Sequence, residues 1–288
     1  MPEQSQLTLA APVARPRGGS DAPLHNLGPF ERLWQIAALR KALILVVLAA
    51  LWQTYATHLD NPLLFPTFTD TLAALWDGLV SGNLLKRAGF TLHTLLTGYA
   101  IGIALAALVT ALAVGSRIGN DLLETLTAMF NPLPAIALLP LSLIWFGLGH
   151  ASLVFVLVHS VLWPVALNTH GGFKAVSPTL RMVGRNYGLS GLRLVATILI
   201  PAAFPSILSG LKIGWAFAWR TLIAAELVFG VSSGGGGLGW FIYENKNQLE
   251  IPSVFAGLLT VIIIGLAVDN LVFRAIEART VRRWGMHS

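Results

Sequence analysis

Cysteine is absent from the 288 residues, which excludes disulfides, thiol catalysis and cysteine-ligated metal sites. Charge is scarce too. Asp, Glu, Lys and Arg make up 11% of the chain, against roughly 25% in soluble domains. A soluble domain of this length needs a charged shell around its core, so a polytopic membrane protein is the better class. No stretch fits the phosphate-binding pattern GxxxxGK[ST], so any ATP hydrolysis tied to this chain belongs to another polypeptide. Ser, Asp and His converge on no nucleophile arrangement, and no spacing suggests a metal site. No enzyme is expected. Residues 1–28 also lack an apolar core and hold four prolines, which predicts a disordered tail and not a cleavable signal peptide.

What the chain has in abundance is apolar sequence: 55% of its residues are hydrophobic, and the mean hydropathy is +0.70. Residues 29–41, PFERLWQIAALRK, suit a short helix lying in the membrane interface. A single membrane domain over 42–283 follows, with apolar runs at 42–59, 89–115, 122–149, 151–170, 202–229 and 254–273. Thr69 or Asp70 can cap a helix in the first outer loop. Gly98 and Gly102 stand four apart, a spacing that lets helices approach closely. The run 122–149 is interrupted by Asn131-Pro132-Leu133-Pro134 and again by Pro140. Non-helical backbone at membrane depth is tolerated only against protein or a wet cavity, which makes Pro132, Pro134 and Pro140 candidate gate residues. A kink satisfied by neighbouring helices is the plainer alternative.

Six spans put both termini on one side. With that side cytoplasmic, 14 of the 19 Lys and Arg face the cytoplasm, while the outer loops hold Lys86, Arg87 and Lys246. The positive-inside bias therefore orients the chain and explains the formal charge of +6. Basic residues spaced between apolar runs do not form a nucleic-acid face.

The longest polar passage is Lys174–Pro201, with Lys174, Arg181, Arg185 and Arg193 and no acid. Ser177-Pro178 is a good helix start, and Gly188-Leu189-Ser190-Gly191 a good stop. By itself this could be an ordinary basic loop meeting only lipid headgroups. The fifth span carries the clear intramembrane ions, Arg220 and Glu226. Trp215, Trp219 and Glu226 fall near one helical face, with Arg220 about 120° from Glu226. A translocation-path reading has Arg220 attract an anion, with the two tryptophans shaping the way. A structural reading has Glu226 satisfy a neighbouring helix terminus and Arg220 bond a carbonyl. His93 and His159 are expected to be hydrogen-bonded within the bundle, and the Gly234–Gly237 run to be a flexible outer loop.

At the basic loop the sequence resembles the inner-membrane permease subunits of bacterial ABC importers. Their signature there is Glu-Ala-Ala, three residues, Gly, nine residues and Ile-x-Leu-Pro. Gly188, Ile198 and Pro201 stand at that spacing, with Ile200 in the leucine place and Met182-Val183-Gly184 where the triplet would be. NPLPAIALLPLSLIWFGLGH (131–150), RNYGLSG (185–191), ILIPAAFPSILSGLKIG (198–214), WRTLIAAE (219–226) and GGLGWFI (236–242) are similar to the nitrate/sulfonate/taurine branch. The resemblance implies an all-α fold of the type I importer, with about six transmembrane helices and a coupling-helix loop at 174–201. It implies ATPase contact through Met182, Val183, Gly184, Arg185, Asn186, Tyr187, Gly188, Ser190 and Gly191. Trp145, in the Trp-Phe-Gly end of the broken segment, joins the expected path residues. It further implies a second copy of the chain, two cytoplasmic ATP-binding subunits carrying ATP and Mg, a periplasmic binding protein, and residence in the inner membrane. The cargo expected is a small anion. A self-sufficient secondary transporter or channel is the alternative; it predicts repeated halves and a midplane relay of acids, for which only Glu226 and Asp269 are available.

Overall fold

The computed structural model describes residues 36–229 and 236–280. The expected tail, most of the expected interfacial helix, Gly234, and Arg282 and Arg283 lie outside the described residues. All regular structure among those described is helical. Among the described residues five helices are long and apolar enough to cross a membrane, and the number is six when one bent pair is counted as a span.

Contacts divide the chain after Ala50. Residues 36–50, largely exposed, form one unit and belong to helix α1 (Ala37–Leu59). Residues 37–41 are thus continuous with the first apolar run. From Leu51 onward the second unit contains everything else. There Trp52 packs against Phe65, Phe68 and Phe255 and donates its indole N–H to Pro66 O at 2.9 Å. Helix α2 (Phe68–Val80) is capped by Thr67, whose hydroxyl accepts from Asp70 N at 3.1 Å. The cap is therefore Thr67, not Thr69 or Asp70, because an extended residue must precede the first helical turn.

Helix α3 (Asn83–Gly115) and helix α6 (His150–Ala175) are the central pair. An added Cβ on Gly98 would sit 2.5 Å from Leu157 Cβ, and one on Gly102 would sit 2.7 Å from Val161 Cβ. The two contacts advance together along both chains, so α3 and α6 run parallel. The segment between them must return across the bilayer. It does so as α4 (Arg117–Phe130), a 3-10 turn Ala135–Leu138 and α5 (Leu139–Phe146), bent by 88° at the break. Gly98→Ala should lower the detergent unfolding midpoint by the equivalent of about 1–3 kcal/mol, the usual cost of overpacking. An unchanged midpoint would mean that α3 and α6 part freely.

Helix α7 (Pro178–Asn186) follows, then a helical turn Gly191–Leu194 and a π-helical turn Val195–Leu199 leading into α8 (Ile200–Phe229). The wider turn sits just before Pro201, which has no N–H to continue the ladder. α8 runs antiparallel to α6: Gly172 faces Ser206, Gly210 faces Asn168, and Gly214 faces Val165. The stretch expected as an outer loop contains α9 (Leu238–Asn247), whose Leu238, Gly239, Phe241 and Ile242 are buried. The last crossing is α10 (Ile251–Ala267), extended by a π-helical turn Val268–Phe273 and α11 (Arg274–Arg279). Lys212 on α8 pairs with Glu277 at 2.7 Å.

Candidate functional site

Two features stand apart from ordinary packing: the exposed helix α7 and a recess at the chain break. α7 begins with Ser177, whose hydroxyl accepts from Leu180 N at 3.2 Å, and Pro178 occupies its first turn. It ends in two reverse bonds, Gly188 N to Arg185 O at 2.9 Å and Leu189 N to Gly184 O at 3.0 Å. That Schellman pattern needs a left-handed residue, and Gly188 supplies it at φ 75°. Two contacts hold α7 to its neighbours. Arg181 donates to Phe173 O and Val176 O, the carbonyls at the end of α6, where a cation also suits the helix dipole. On the opposite strut, Gly184 is buried, and an added Cβ there would lie 2.7 Å from Leu194 Cδ1 and 3.2 Å from Ile198 Cγ1.

With Gly184 turned inward, the remaining expected coupling residues point outward. Met182 is 56% exposed, Val183 43% and Tyr187 82%, and Arg185, Asn186, Gly188, Ser190 and Gly191 are exposed as well. Leu180 joins them. The result is a rigid, basic and apolar ridge. Beside it, Lys174 pairs with Glu124 of α4, and His170 bonds Asn120 at 2.9 Å, so the start of α4 meets the end of α6.

The recess encloses about 320 Å³ between the chain break, α6 and α8. Asn131, Pro132 and Pro134 form one wall, Phe130, His159 and Trp163 another, and Phe217, Arg220 and Thr221 a third. Pro132 and Pro134 stand where a gate was expected. Pro140 does not: it lies in the first turn of α5, where its missing N–H breaks nothing. Arg220 reaches the recess while its Nε donates to Ala216 O at 3.0 Å and its guanidinium lies 5.4 Å from the Phe217 ring centre. Arg220 thus bonds a carbonyl, as the structural reading expects, while also lining the recess. Ser160 Oγ donates to Thr221 Oγ1 at 3.2 Å, tying α6 to α8 beneath the recess.

Four other expected path residues are placed elsewhere. Trp215 and Trp219 are 6% and 8% exposed; they stack on each other, and Trp215 packs edge-on against Tyr99 and Phe273. Shared helical face put them together, but that face turns into the bundle and away from Arg220. Glu226 is 2% exposed. Its carboxyl accepts from Thr91 Oγ1 at 2.9 and 3.0 Å and from Gly239 N at 2.9 Å, while Thr91 accepts from Leu238 N at 2.8 Å. Glu226 therefore caps the N-terminus of α9, as the structural reading had it. Trp145 is 57% exposed at the end of α5, against Phe146 and Phe155, and does not line the recess.

The sequence profile of the binding-protein-dependent transport system inner membrane component matches residues 98–282. The chain belongs to that family. The match spans α3 from Gly98 onward, the whole of α6, the ridge of α7 and the whole of α8 and α10. Among curated relatives, the nitrate import permease protein of Synechocystis sp. is 30% identical over 261 residues, covering 87% of this chain and 92% of its own. The taurine transport system permease protein of Escherichia coli is 30% identical, covering 82% and 86%. The putative aliphatic sulfonates transport permease protein of the same organism is 29% identical, covering 78% and 84%. This membrane component is thus a multi-pass permease subunit of an ABC transport system, not a self-sufficient carrier. It is a transporter part and no catalyst.

Sequence reasoning missed Thr91, Phe130, Trp163, Phe217 and the cap made by Arg181. Thr91 and Glu226 are 135 residues apart, and no local pattern links them. Trp163 had a faint signal, an indole one position before the helix-bending Pro164.

Proposed function

We propose that the chain is one half of a homodimeric permease that imports a small anion, of the nitrate, taurine or organosulfonate type, driven by two cytoplasmic ATP-binding subunits. ATP and Mg sit on those subunits. A periplasmic binding protein delivers the cargo, both termini face the cytoplasm, and the path passes Arg220 on the dimer axis. A subunit this small seldom encloses a solute path alone, which favours a symmetric pair. The observation that carries the reading is the α7 ridge: nine helical residues fixed at both ends, with their apolar and basic side chains left facing water. A helix so held transmits force and does not absorb it. ATPase closure would move α7, and α6 and α8 would follow as rigid bodies.

Co-purification with the adjacent ATPase tests this. Wild type should retain it. Arg185→Glu reverses a charge on the ridge, and Gly188→Trp strains a left-handed turn by roughly 1–2 kcal/mol; each should lose most of the bound ATPase. Equal retention in all three proteins would remove α7 from the coupling route.

A further inference from the structure

A groove of about 360 Å³ runs between α3 and α8, with α6 as its floor. Two threonines apart, every side chain lining it is apolar. On the α3 wall Ala107 and Ala111, one helical turn apart, are exposed and too short to close the space toward α8. At one end Tyr99 ties the two helices, donating its hydroxyl to Leu211 O at 2.9 Å. From there the α3 wall extends from Ile103 to Val114, roughly 16 Å at 1.5 Å per residue. That is about the depth of one leaflet of a hydrocarbon core roughly 30 Å thick. At the other end each wall leaves the apolar region beside a cation. α3 stops at Gly115 and Arg117 follows, α6 carries Lys174 in its last turn, and Arg193 stands two residues before Val195 in the lining. Lys174 is held by Glu124. Arg117 and Arg193 are exposed and form no ion pair among the described residues.

We propose that this groove holds one acyl chain of an anionic phospholipid of the cytoplasmic leaflet, its headgroup phosphate received by Arg117 and Arg193. Only the choice of leaflet rests on the orientation given above. Lipid wets any helix that faces the bilayer, but a plain helix surface offers no floor. Here Val165 and Phe173 lie buried beneath the opening, so a chain is received on three sides. Charge then selects the headgroup, since basic pockets between membrane helices on the cytoplasmic side favour anionic lipids. The occupant touches the coupling element as well. Val195 and Ile200 wall the groove, and between them Ile198 faces Gly184 of α7. A chain in the groove therefore braces the strut on which α7 rests.

Native mass spectrometry of the delipidated permease–ATPase complex, titrated with dioleoyl phosphatidylglycerol and dioleoyl phosphatidylcholine, tests the assignment. The two probes share their chains and differ in net charge. Wild type should hold its tightest phosphatidylglycerol at least about fivefold more strongly than phosphatidylcholine, the worth of a single arginine beside an anionic headgroup. Joint Arg117→Gln and Arg193→Gln should bring the two lipids level. Ala111→Phe puts a ring into the opening from an exposed position and should weaken both lipids about equally. Equal affinities in wild type, or wild-type binding in both the paired glutamine variant and Ala111→Phe, would overturn the proposal. So would an Ala111→Phe protein that keeps its lipid but separates from a second copy, which would give the groove to that copy. If no ATPase joins the preparation, the importer reading falls by itself, and the same titration on the permease alone still decides the groove.

Discussion

Glu226→Ala is expected to lower the unfolding midpoint of the solubilised protein sharply and to cut its yield in membranes. The carboxyl accepts from the Thr91 hydroxyl and the Gly239 amide in a pocket sealed from water. Removing it leaves two buried donors bare, at about 1–3 kcal/mol each, so the loss should total about 2–6 kcal/mol. The space left is no relief, because the backbone of Gly237 and Gly239 packs directly on the side chain: an added Cβ on Gly237 would sit 2.1 Å from Glu226 Oε1. Glu226→Gln keeps one acceptor and should fall between. Thr91→Val should mimic part of the loss, since it frees Leu238 N as well. A stable Glu226→Ala protein that fails only in transport would instead return Glu226 to the path.

Gly184→Leu is expected to abolish ATPase retention and coupled hydrolysis while leaving the outward side chains of α7 unchanged. The glycine faces inward, 2.7 Å from Leu194 Cδ1 for a Cβ alone. A leucine there must push α7 off the helical turn at Gly191–Leu194 by ångströms, carrying Arg185 and Tyr187 out of register. Overpacking typically costs about 1–3 kcal/mol, modest for the bundle as a whole. The midpoint should therefore drop slightly and ATPase stimulation almost entirely, a split that pull-down and hydrolysis assays on one preparation reveal. Full stimulation in Gly184→Leu would show that the partner tolerates a displaced ridge.

Much of this architecture is legible in the sequence because membrane crossing imposes a single strong rule, long apolar runs. The pair Gly98 and Gly102, the break at Asn131–Pro134, and the cap and stop of α7 at Ser177 and Gly188 were all readable as local chemistry. Tertiary choices were not. Trp215, Trp219 and Glu226 share a face, yet nothing local says whether that face meets a path or a neighbouring helix; Tyr99, Thr91 and Phe273 decide it from far away in the chain. α9 hid behind glycines that look like a loop. Gly237 and Gly239 are there because Glu226 leaves no room for more. Pro140 misled for the opposite reason: a proline that starts a helix and one that breaks it look alike in a list of residues.

The anchoring of α8 at Glu226 has a mechanical meaning. Held at Glu226 near its C-terminal end and joined at Ile200 to the segment under α7, α8 would pivot as a lever with its fulcrum close to the recess. From Glu226 to Ile200 is 26 residues, roughly 39 Å of rod, while Arg220 is only six residues, roughly 9 Å, from the pivot. A swing of about 7 Å at the Ile200 end would shift the Arg220 backbone by less than about 2 Å. Such gearing would turn a long stroke at Ile200 into a short one beside Arg220, enough to break a hydrogen bond without tearing the bundle apart.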